Sequence, residues 1–157
     1  MATEVFVADQ SIYSLLSGDA VLQGLAGGVA SLATRIGVSP LPPETAEPFI
    51  SFDTLTLGDV ITVGAHRVYT DAEYLIKAIA ETNTYSALDS WADAIDSALD
   101  KQSHTVAGSG IVYHIYRDRP FRFNEVVQRT TSTGTRVFRH LGGVYQVIVQ
   151  APIGGQP

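Results

Sequence analysis

Between residues 68 and 99 the hydrophobic pattern changes period, and that change decides the fold class. Over 68–81, Tyr74, Ile76, Ala78 and Ala80 alternate with Leu75, Lys77, Ile79 and Glu81, the pattern of a strand with two unlike faces. After Asn83, Leu88, Trp91, Ala92, Ile95, Ala98 and Leu99 recur at helical spacing and form an apolar stripe. Asp89, Asp93, Asp96 and Asp100 fall at i, i+4, i+7 and i+11 on a different face of the same helix. A strand that feeds straight into an amphipathic helix buries both apolar faces by laying the helix on a sheet.

The flanking segments extend this frame. Asp9 is a candidate N-cap for a first helix carrying Ile12, Leu15 and Leu16, and Asp19 for a second turn through Val21, Leu22 and Leu25. Gly27-Gly28 ends that turn. Residues 37–48 hold Pro40, Pro42, Pro43 and Pro48 and are expected to form an extended connection. Phe49–Asp53 alternates as a strand, and 55–68 is expected as a projecting hairpin or ordered loop. The last third is strand-rich. Ile111–Tyr116 is expected to be broken by Asp118-Arg119-Pro120, to resume over 121–129 and to turn at a polar tip, Thr130–Gly134. A short return strand, Arg136–Leu141, then leads through Gly142-Gly143 into a final strand containing Tyr145, Val147 and Val149. The expected fold is α+β, one domain over 1–157 with loose termini at 1–8 and 152–157. Its sheet is mostly antiparallel, two main helices pack on one face as a single layer pair, and the C-terminal hairpin is extended.

With 157 residues, 45% of them hydrophobic and 17% charged, the chain can bury one core, and the low charge suits a subunit that hides part of its surface. There is no Cys, which excludes thiolate catalysis, disulfides and zinc–thiolate sites. No signal peptide or apolar run of about 18 residues is read, so the expected setting is the cytoplasm of the producing cell, away from membrane.

No constellation for catalysis stands out, and the expectation is a protein that is not an enzyme and has no cofactor. His66, His104, His114 and His140 are scattered, and the aspartate stripe lacks opposing ligands, so no metal site is expected. Gly24-Leu25-Ala26-Gly27-Gly28 lacks a following Lys-Ser/Thr, and no serine sits in a nucleophile elbow.

Charge is divided along the chain. Residues 1–100 carry fourteen acidic groups against Arg35, Arg67 and Lys77, net −11; residues 101–157 carry seven basic groups against Asp118 and Glu125, net +5. Two readings stand open. The halves neutralise each other within the fold, or they lie on opposite sides and attract neighbouring copies. Arg117, Arg119, Arg122, Arg129, Arg136 and Arg139 are interleaved with Tyr113, Tyr116, Phe121, Phe123 and Phe138, a mixture enriched at protein interfaces and also able to hold single-stranded nucleic acid. The net charge of −6 weighs against nucleic acid. Candidate subunit-interface residues are Asp89, Asp93, Asp96, Arg117, Arg119, Arg122, Arg129 and Arg136.

The order of elements resembles the tail-terminator, or tail-completion, family of long-tailed bacteriophages. The resemblance rests on Ile12–Leu22, on Thr34-Arg35-Ile36 before the proline-rich stretch ending Glu47-Pro48-Phe49-Ile50-Ser51-Phe52, on the strand closing at Ala80-Glu81-Thr82-Asn83, and on the helix around Trp91. The resemblance implies a virion protein forming a ring, typically a hexamer, at the head-proximal end of the tail tube. Its implied partners are other copies of itself, the major tail tube protein and a head-completion or connector protein, with DNA passing through the lumen unbound. A head–tail connector or neck subunit is the neighbouring alternative, and a nucleic-acid-binding module a more distant one.

Overall fold

The computed structural model describes residues 2–39, 41–42, 44–61, 67–128 and 135–150. Among these residues, four helices and six strands follow in the order α1 (Ala2–Gly18), α2 (Ala20–Ala26), α3 (Val29–Ala33), β1 (Ile36–Val38), β2 (Phe49–Ile61), β3 (Arg67–Glu81), α4 (Ser86–Leu99), β4 (Gln102–Val106), β5 (Gly110–Gln128) and β6 (Thr135–Gln150). The strands form one sheet in the order β1-β2-β3-β6-β5-β4. Only β1 and β2 run parallel; every other neighbouring pair is antiparallel.

The helices take the sheet face that carries Tyr74, Ile76 and Ala78 of β3 and Tyr145, Val147 and Val149 of β6, all buried in one apolar cluster. From α4 that cluster receives Leu88, Trp91, Ala94, Ile95, Ala98 and Leu99. Ala94 replaces the expected Ala92, which is only half-buried. Burying a Leu- or Ile-sized side chain contributes about 1.5–3 kcal/mol, so this face is what holds α4 to the sheet.

Local signals survive where the chain is short-range. The Asp19 carboxylate accepts from the Leu22 N–H at 2.8 Å, and Gly27 closes α2 at φ 83°. The strand expected over 68–81 and the helix after Asn83 are both present. Residues 55–61 belong to β2, which pairs with β3 out to Ile61↔Arg67, so the segment is a hairpin. Its turn, with His66, lies outside the described residues.

Several expectations are corrected. Beside the two long helices α1 and α4, the described residues hold the short α2 and α3, and α3 and strands β1 and β4 are additional to the expected elements. Residues 2–8 are not a loose terminus: α1 begins at Ala2, and Val7 and Ala8 are fully buried against the core. Asp9 therefore sits inside α1, where its carboxylate accepts from the Tyr74 hydroxyl at 2.8 Å. The proposed break at Asp118-Arg119-Pro120 is absorbed as a bulge between Arg117 and Arg119, and β5 runs on through it. The two strands expected either side of Gly142-Gly143 are one strand, β6. A Cβ on Gly142 would fall against the Ile76 carbonyl oxygen and 2.6 Å from Lys77 Cα, so glycine here permits a close strand approach and not a turn. The extended C-terminal hairpin is present, paired from Ile111↔Gln150 to Gln128↔Thr135. Its expected tip at 130–134, and the tail at 152–157, lie outside the described residues.

Candidate subunit interface

Sequence alone leaves the acidic and basic halves either neutralising each other or lying on opposite sides, and the fold brings parts of the aspartate stripe and the arginine-bearing hairpin together. Asp89 and Asp93 of α4 and Arg117 of β5 line one hollow of about 290 Å³, floored by Gly142 and Tyr145. At its edge Arg117 Nη1 lies 3.2 Å from Asp96 Oδ2, and the Tyr145 hydroxyl donates to Asp96 Oδ1 at 3.2 Å. Burial, then the neighbouring Asp96 carboxylate, pushes the Tyr145 phenol well above its ordinary value, so it stays a donor. Asp89 and Asp93 are exposed and form no ion pair among the described residues.

The other arginines also find partners inside the chain. Arg119 reaches across β6 to Glu73 Oε1 at 2.8 Å and also pairs with Asp118. Arg136 holds Glu81 through an Nε–Oε2 hydrogen bond of 2.7 Å and approaches Glu47 at 3.9 Å. These hydrogen bonds favour the protonated guanidinium, led by Asp118 for Arg119 and by Glu81 for Arg136. Arg122 stacks on the Tyr85 ring at 3.7 Å from its centroid, with Arg139 4.9 Å from the same ring. Arg129 lies outside the described residues. For Arg117, Arg119 and Arg136, then, mutual neutralisation within the fold accounts for the divided charge, whereas Asp89, Asp93 and Arg122 have no charge partner among the described residues.

The sheet face away from the helices bears a second feature that sequence reasoning missed. A groove of about 510 Å³ runs between Leu41, Pro42, Thr45 and Glu47 on one side and the Gln128 end of the β5–β6 hairpin on the other, with Phe49, Ile79 and Phe138 among its walls. His140 is buried there, 3.3 Å from Glu125 Oε2, and burial followed by the charge of Lys77 depresses its pKa below the ordinary 6.5. Its alternation with Phe138 on a strand was the signal available, but the sequence does not show what the 39–49 connection covers.

Comparison with solved structures finds a chain from the virion of a native gene transfer agent particle, with a TM-score of 0.66 over 94% of this chain and 97% of that one. The fold is shared from end to end. Sequence identity is 16%, so what is common is the architecture. No family model matches the sequence, and no curated protein does. No helix among the described residues is long and apolar enough to cross a membrane, and none of their His, Asp and Glu side chains gather into a group able to hold a metal ion.

Proposed function

We propose that this chain is a structural subunit of a phage-like virion, and within it a tail terminator: a ring at the head-proximal end of the tail tube that ends tube growth and meets the head connector. The observation that carries the reading is the fold likeness to a virion chain over almost the full length of both proteins. The element order around Thr34-Arg35-Ile36, Glu47-Pro48 and the Trp91 helix favours the terminator position within such a particle. Two long hairpins leave the core at opposite ends of the sheet, β2–β3 toward Ile61 and β5–β6 toward Gln128, as a subunit that contacts neighbours on both sides requires.

Static light scattering and electron microscopy of the purified protein test the ring, and a tube-growth assay tests the position. Added to polymerising tail tube protein, a terminator stops elongation, whereas a connector or neck subunit leaves tube length unchanged. A strictly monomeric protein that is absent from purified particles refutes the reading.

A further inference from the structure

The two outer strands, β1 and β4, each cover less than half of their partner's length. β1 pairs with β2 only at Ile50–Phe52, and beyond it 53–61 has no strand on its outer side among the described residues. β4 pairs with β5 only between Gly110 and Ile115; beyond Arg117, whose N–H donates to Asp100 Oδ1 at 3.2 Å, the outer side of β5 to Gln128 carries no strand among the described residues. Uncovered strand edges template pairing with another chain. We propose that neighbouring copies of this chain join edge to edge, the β2 edge over 53–61 of one copy pairing with the β5 edge over 117–128 of the next. The proposal rests on the ring reading above and assigns its contact.

Backbone hydrogen bonds fix which groups face outward. The Thr82 N–H donates to Val137 O at 3.2 Å, so Val137 turns its polar groups toward β3, and its partner Val126 turns its own away from β6. Arg122 and Asn124 share that orientation. By the same alternation Leu57, opposite Ala72, faces outward from β2. Pro120 also falls at an outward position, where it offers no donor, so pairing is concentrated on 122–126.

Direction, offset and chemistry agree with this contact. β2 and β5 run in opposite directions within one sheet, so a neighbour related by rotation about a ring axis presents them antiparallel. The centres of the two free stretches are offset by about seven residues, or ~23 Å at ~3.3 Å per residue. Across four strands ~4.8 Å apart, that offset gives strands tilted roughly 50°, near the tilt of about 35–45° in closed barrels. Exposed apolar side chains mark both edges, Leu55, Leu57 and Ile61 on β2, and Phe123, Val126 and Val127 on β5, with Val126 62% exposed. The two patches differ, which is what a closed ring needs.

Because the chain has no native Cys, paired cysteines give a direct test. Leu57→Cys chains are mixed with Arg122→Cys or with Val126→Cys chains, which bracket the register, oxidised and resolved without reductant, alongside the double variants. The expected result is disulfide dimers only in a mixture, and a ladder of multimers in the matching double variant. Rings seen by light scattering with no such cross-link in either pairing overturn the edge contact while leaving the ring reading intact. A Leu57→Cys homodimer also overturns it, since it requires a two-fold contact. Absence of any ring overturns both. As a second arm, Val126→Pro removes an outward donor without touching the bonds to β6; at least tenfold weaker assembly with an unchanged circular dichroism spectrum is expected, and undiminished assembly counts against the proposal.

Discussion

Replacing Gly142 by Ala tests how tightly the middle of the sheet is built. The added Cβ would abut the Ile76 carbonyl oxygen and lie 2.6 Å from Lys77 Cα, both backbone atoms of the strand paired with it. Ordinary contact for such atoms begins at about 3.4 Å, so β3 and β6 must separate locally by more than an ångström. Overpacking of this kind costs about 1–3 kcal/mol. The displacement also loosens the ladder around Lys77↔Gly142, and one or two weakened backbone bonds add about 0.5–1.5 kcal/mol each. The expected loss is therefore about 2–5 kcal/mol, which at about 2–4 °C per kcal/mol lowers Tm by roughly 5–20 °C. Gly24→Ala is the matched control. Nothing lies within 4 Å of its Cβ, and it sits inside α2, so it should stabilise by about 0.5–1 kcal/mol. Urea and thermal unfolding at one fixed protein concentration measure both, since self-association would otherwise shift the midpoints. A Gly142→Ala protein within about 0.5 kcal/mol of the parent would refute the close-approach argument.

Two further outcomes follow from side-chain partners. Asp19→Ala removes the carboxylate that accepts from the Leu22 N–H and should cost about 1 kcal/mol in urea unfolding, with Asp19→Asn recovering most of it. His140 is held neutral by burial and by Lys77, so its folded pKa lies below the unfolded 6.5. The folded state then binds fewer protons than the unfolded chain below that value, and stability should fall as pH drops from about 6.5 toward the folded pKa. Tm measured from pH 7.5 to 5 should show this decline, and His140→Gln should remove that part of it.

Much of the candidate surface was legible as a list of residues and not as an arrangement. Asp96 and Arg117 were both identifiable as charged surface groups, yet they are 3.2 Å apart because α4 lies over the β5 bulge. Glu73, the partner of Arg119, and Tyr85, the platform under Arg122, carried no signal of their own. Their roles come from strands and loops distant in the chain.

By itself the sequence determined what short-range physics controls: the α+β class, the alternation of β3, the stripe of α4, and the start and stop of α2 at Asp19 and Gly27. Each depends on groups within a few residues, through the pleat, the helical repeat or a cap. Only the tertiary structure decided that α1 begins at Ala2, that β5 passes through Pro120, and that β6 passes through Gly142. Local propensity opposes the two strand continuations, and pairing with residues far along the chain outweighs it. The same long-range pairing left more than half of β2 and of β5 without an outer neighbour among the described residues, on opposite edges of one sheet.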